Sequence, residues 1–108
     1  MENQTVNEGK TTAIISYLWW IGFIIAFIIN SSKNNSFASF HIRQSLGINL
    51  LSVVASLVSA YVNPSIGWVI SVGVIMFWII GLIGSIQGEE KKVPLLGDQF
   101  QEWLKNIG

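Results

Sequence analysis

The sequence contains no cysteine, so disulfides and thiolate metal sites are excluded. It has a single histidine and no carboxylates gathered in its apolar stretches, so no metal-ligating and no cofactor-binding residues are assigned. Charge is scarce as well. Asp, Glu, Lys and Arg make up 11% of 108 residues, where a soluble domain carries about a quarter. A water-facing surface can hardly be built from so few. The formal net charge is zero, which offers no basic face to a polyanion and excludes nucleic acid as a partner.

What is present instead is long apolar runs. "AIISYLWWIGFIIAFII", Ala13 to Ile29, carries no charge and would span roughly 26 Å as a helix, or about 30 Å with Thr12 and Asn30. A second run extends from Phe40 to Val62 and a third, "IGWVISVGVIMFWIIGLIGSI", from Ile66 to Ile86. Between them "NPS" reads as a tight turn, because Pro64 lacks a donor and disfavours helix at Asn63. Only helices or closed barrels satisfy their backbone in lipid, and no alternating pattern of barrel strands is present. The expectation is an all-α integral membrane helical bundle of three transmembrane helices plus a short C-terminal amphipathic helix. The spans fall at about 12–30, 40–62 and 66–87 within a bundle of residues 12–88, after a flexible segment 1–11 and before a tail 89–108. The first run exceeds a signal-peptide core of about 7–15 residues, and Glu2 and Glu8 outweigh Lys10, so it reads as a retained span.

In the tail, Phe100, Trp103, Leu104 and Ile107 follow the i, i+3, i+4, i+7 spacing of one apolar helix face, which predicts an amphipathic helix over 98–107. Asp98 and Gln101 have the spacing of a capping box. This helix lies either in the lipid interface or against its own bundle. Three spans would place the N-terminus and the Asn63 turn on one side with Lys10 alone. The other side would hold Lys33, Arg43, Lys91, Lys92 and Lys105. The excess of Lys and Arg assigns loop 31–39 and the tail to the cytoplasm and the N-terminus to the outside. Tyr17, Trp19, Tyr61 and Trp68 would then sit near the outer interface, and Phe37 and Phe40 near the inner one.

The second span is dotted with polar residues. At 100° per residue, His41, Ser45, Asn49, Ser52, Ser56, Ser59 and Asn63 share an arc of about 80°, while Arg43 lies on the far side. This stripe serves either as a packing surface, where small and polar side chains let helices approach, or as a hydrated path inside an oligomer. Gly67, Ser71, Gly81, Ser85 and Gly88 form a small-residue face on the third span, and Gly22, Ala26 and Asn30 one on the first. Trp78, at mid-span, needs an acceptor for its indole N–H, and Ser52 or Asn49 is the candidate.

Catalytic motifs fail on inspection. "GKTT" at Gly9 to Thr12 resembles the end of a phosphate-binding loop, but Gln4 stands where its first glycine belongs and no strand precedes it. His41 and Ser45 lie one turn apart without an orienting acid. No catalytic residue, no enzymatic activity and no small-molecule substrate are assigned.

"FHIRQSLGINLL" at Phe40 to Leu51, with Phe40, His41, Arg43 and Gln44, and the ending "KKVPLLGDQFQEWLKNIG" carry a resemblance. They resemble small bacterial membrane proteins that are similar to the twenty-kilodalton component of the chloroplast inner-envelope protein import translocon. The resemblance implies a helical protein of the bacterial inner membrane with a role in protein translocation. Together these readings describe an accessory or scaffold protein acting by helix–helix contact. Its partners are the lipid bilayer and either further copies of itself or other membrane proteins. The rival reading is an oligomeric pore or ion path lined by the stripe of span two.

Overall fold

The computed structural model describes residues 2–107, and side chains from Gln4 onward; Met1 and Gly108 lie outside the described residues. Among the described residues five helices follow one another: α1 (Glu2–Ser16), α2 (Trp19–Lys33), α3 (Ser36–Tyr61), α4 (Pro64–Gln87) and α5 (Gly97–Trp103). No strand occurs among the described residues. Two helices, α3 and α4, are long and apolar enough to cross a membrane.

The α3–α4 turn is written locally. Asn63 adopts extended backbone and its side chain accepts from the amides of Ser65 and Ile66, with Pro64 opening α4. Proline suits that position because the amide it lacks would have had no helical partner. Gly67 then lets α4 meet α3: a Cβ there would stand 1.9 Å from the Ser59 hydroxyl oxygen. At its far end α4 stops at Gly88, whose φ of 76° is the left-handed cap glycine tolerates best.

The first apolar run is not one span. It breaks at Tyr17–Leu18 into the end of α1 and the start of α2, each helix 15 residues long. At about 22 Å, neither matches the hydrocarbon thickness. The amides of Tyr17 and Leu18 turn to the carbonyls of Ile14 and Ile15, three residues back, which tightens and ends the ladder. The Tyr17 carbonyl accepts the indole N–H of Trp78. Trp19 takes a φ of 57° and stacks on Trp78 with ring centroids 6.1 Å apart. A left-handed tryptophan costs about 1–2 kcal/mol, which these contacts offset. Trp78 therefore donates to Tyr17, not to Ser52 or Asn49.

α1 and α2 form an antiparallel hairpin whose two open ends lie together. The Asn35 amide donates to the Thr5 carbonyl at 2.8 Å, and Gly9 has no room for a Cβ beneath Asn35. Gly22 is equally tight against α1, with a Cβ position 2.1 Å from the Ile15 carbonyl. Gly22, Ala26 and Asn30 are the buried face of α2. Asn30 binds the backbone of Asn35 and the Ser39 hydroxyl. The hairpin turn lies level with Gln44 and Gly81, in the half of α3 and α4 nearer this end.

Two expectations are thereby corrected. Residues 2–11, read as a flexible segment, are the first part of α1. The N-terminal residues do not lie across from loop 31–39 but beside it, and Val6 and Lys10 also flank Gly88. The charged segments 2–10, 33–43 and 89–105 therefore gather at one end of the molecule, while the Val62–Ser65 turn at the other carries no charge.

The tail is shorter and differently capped than its spacing predicts. α5 ends at Trp103, and no side chain caps its start at Leu96. Gln101, expected in a capping box, instead donates to the Phe40 carbonyl at 2.9 Å. Phe100 is buried on Gly47, Leu104 and Ile107 are half-buried, and Trp103 is 71% exposed. The tail thus folds back on the bundle. Tyr17, Ile48, Val74, Val93 and Phe100 form the main apolar core, which joins the α1–α2 turn, α3, α4, the linker and α5.

Candidate functional site

Phe40, His41, Arg43 and Gln44 sit in the second and third turns of α3, facing the stretch that links α4 to α5. Residues 89–93 run there without helix, so their backbone groups need partners from elsewhere. His41 and Gln44, one turn apart, supply them. His41 Nε2 donates to the Glu89 carbonyl at 2.8 Å. Gln44 Nε2 donates to the Lys91 carbonyl at 2.9 Å, and Gln44 Oε1 accepts from the Val93 amide at 3.0 Å. Every second residue of the linker is gripped.

Tyr17, from the hairpin turn, completes the cluster. Gln44 Nε2 also donates to Tyr17 Oη at 3.0 Å, and the Tyr17 hydroxyl donates to His41 Nδ1 at 2.5 Å. The donor directions follow from the chemistry of the groups. A carbonyl only accepts, so the His41 proton is on Nε2 and Nδ1 is an acceptor. In its neutral form His41 is the Nε2–H tautomer, which leaves Nδ1 to accept from the Tyr17 hydroxyl. Its ring meets Tyr17, Phe37 and Phe40 edge to face at centroid distances of 5.4, 4.8 and 4.9 Å. His41 and Gln44 are 0% exposed and Tyr17 1%, so each bond is shielded from water and lipid. The cluster ties three parts of the chain together: the hairpin turn, α3 and the linker.

Around it lies an outer layer. Arg43 Nε donates to the Ile107 carbonyl at 2.9 Å, and Gln101 to Phe40 as described. Partial burial pushes the Glu90 carboxyl above its ordinary value, with Arg43 and Lys92 opposing the shift. The lysines of the tail pair locally: Lys91 with Glu89, Lys92 with Asp98 and Lys105 with Glu102.

The polar stripe divides along its length. His41, Ser45 and Asn49 are buried, Ser52 and Ser59 half-buried, Ser56 and Asn63 exposed. Ser45 and Ser52 donate to the carbonyls of Ile42 and Asn49 three residues back, so Ser45 makes no pair with His41. Asn63 is the α4 cap. Of the small-residue face, Gly67, Gly81 and Ser85 are buried, Ser71 and Gly88 half-buried. Gly81 receives the Tyr17 ring, where a Cβ would come within 2.5 Å. Ser71 and Ser85 donate within their own helix. No group of three or more His, Cys, Asp or Glu that could hold a metal gathers among the described residues.

Sequence reasoning missed Tyr17, which it assigned to an outer interface, and the linker backbone. A phenolic hydroxyl in an apolar run was the available signal for the first. The second has none, because the gripped atoms are main-chain and carry no side-chain identity.

Residues 8–100 match the family described as the magnetosome magnetite crystal formation protein family, MamF_MmsF. The match covers the hairpin from Glu8 onward, both long helices and the gripped linker. The chain is also 33% identical over 111 residues to the UPF0132 membrane protein MJ1527 of Methanocaldococcus jannaschii, covering 91% of this chain and 74% of that protein. No solved structure matches the chain. These findings overturn the resemblance to proteins similar to the chloroplast import component. With it goes the translocation role it implied.

Proposed function

The chain belongs to the magnetosome magnetite crystal formation protein family, and on that premise we propose a membrane scaffold without catalytic activity, which holds a rigid charged face at one bilayer surface. α3 and α4 cross the membrane. The α1–α2 hairpin enters from the charged side and returns to it. All the Lys and Arg lie at that end, which supports a cytoplasmic orientation for it. The observation that carries the reading is the grip of His41 and Gln44 on Glu89, Lys91 and Val93. It fixes a charged tail that would otherwise hang free beneath the spans. The family's description speaks of crystal formation. For this chain the reading is the architectural part of such a role: a fixed array of charge at a membrane surface, presented to other proteins or to a growing solid.

The cysteine-free chain suits a labelling test. Single Thr5→Cys, Asn34→Cys, Asn63→Cys and Lys105→Cys variants are exposed in sealed cells to a membrane-impermeant maleimide. Only Asn63→Cys should react from outside. Reaction of Thr5→Cys from outside would restore three spans and sink the hairpin.

Ser56, exposed at bilayer depth on α3, favours a second reading in which copies associate along this face around a polar path. Conductance in planar bilayers that changes with Ser56→Leu would support it, and a silent bilayer would count for the scaffold.

A further inference from the structure

A groove of ≈ 210 Å³ opens between α3 and the folded-back tail. Gly47, Leu50 and Val54 form one wall, and Phe100, Trp103 and Leu104 the other. The tail can approach so closely because Gly47 has no side chain; a Cβ there would stand 2.4 Å from the Phe100 ring. At 100° per residue, Arg43, Gly47, Leu50 and Val54 occupy an arc of about 60°, so Arg43 stands at the groove's charged end, one turn before Gly47. The groove therefore runs from the charged end of the molecule towards bilayer depth. Trp103 at its rim is the kind of residue that settles at the headgroup level.

Arg43 is set apart from the other cations nearby. Lys91, Lys92 and Lys105 each hold a carboxylate. Arg43 spends Nε on the Ile107 carbonyl and makes no ion pair among the described residues. Glu90 feels its charge without pairing with it. The terminal guanidinium nitrogens form a planar fork that matches a phosphate.

We propose that this groove is a specific site for one anionic phospholipid, with an acyl chain lying along Leu50 and Val54 and the headgroup phosphate on Arg43. The site rests on α3 crossing the bilayer, as proposed above. An apolar slot at hydrocarbon depth, one helical turn from a guanidinium that holds no carboxylate, fits an amphiphile with an anionic head. The bound chain would fill space that the tail alone leaves open, coupling lipid charge to tail docking.

The full chain is reconstituted into nanodiscs holding equal phosphatidylglycerol and phosphatidylcholine with identical acyl chains, then released into native mass spectrometry. One retained phosphatidylglycerol is expected, favoured over phosphatidylcholine by about fivefold. Arg43→Gln should bring that ratio close to one. Val54→Trp fills the slot, leaves Arg43 and the His41–Gln44 grip intact, and should abolish retention of both lipids. Equal retention by the unaltered chain, an undiminished preference in Arg43→Gln, lipid retained by Val54→Trp, or a second copy of the chain in place of lipid would each overturn the site alone. A chain that stays out of the discs would overturn the spanning reading and this site with it.

Discussion

The two helical hairpins of this protein turn for different reasons. Between α3 and α4 the turn is chemical: Asn63 caps, Pro64 starts the helix, and the polar Asn63–Ser65 stretch stands between two apolar runs. Between α1 and α2 the turn sits inside "SYLWW", which holds neither proline nor glycine. There the helix breaks because distant groups reward the break. Trp78 takes the Tyr17 carbonyl, while His41 and Gln44 take the Tyr17 hydroxyl. A locally coded turn survives loss of its surroundings, whereas a turn made by tertiary contacts depends on them.

The turn made by tertiary contacts is most vulnerable at Gln44. Gln44→Leu leaves the Val93 amide and Lys91 carbonyl buried without partners and removes a donor from Tyr17. At about 1–3 kcal/mol per orphaned group, the loss should reach about 3 kcal/mol or more. Unfolding in mild detergent measures it, and accelerated hydrogen exchange at Val93 should accompany it. Unchanged exchange there would remove the linker from the account. Trp78→Phe keeps most of the apolar volume and deletes the indole donor. It should cost about 1–2 kcal/mol and lengthen the distance between spin labels at positions 5 and 34, since the hairpin loses what holds its turn. An unaltered distance would mean the break has a local cause after all. Asn63→Ala should cost about 1 kcal/mol through the lost cap and leave that label distance untouched, which is the contrast the comparison demands.

The smallest effect belongs to Glu90. Partial burial raises its carboxyl above the ordinary 4.5, against Arg43 and Lys92. The folded chain therefore holds that proton more tightly than the unfolded one. The contribution to stability is full below the ordinary value and fades as pH rises through the raised one. Glu90→Gln should flatten this slope and slightly raise the unfolding midpoint at neutral pH. A steeper slope would reverse the assignment.

Periodicity was readable where one face of one helix decides burial. Gly22, Ala26 and Asn30 are the buried face of α2, and the inner half of the polar stripe, His41 to Asn49, is turned inward. It failed where burial depends on what stands opposite. Ser56 shares the stripe's angle, yet nothing covers it, and Trp103 shares the tail's apolar face, yet stays exposed because α5 ends there. The motif around His41 was visible as a motif, but its partners are backbone atoms 47 to 49 residues on, which no spacing rule reaches.

By itself, the order of residues determined an all-helical membrane protein, the long helices α3 and α4, and the turn between them. Those features depend on apolar length and on caps acting within a few residues. Only the tertiary structure decided that the first apolar run folds back, that the N-terminal helix shares an end with loop and tail, and that His41 and Gln44 grip the linker. Each of these depends on hydrogen bonds between groups far apart in the chain, whose free energy exists only once the helices have packed.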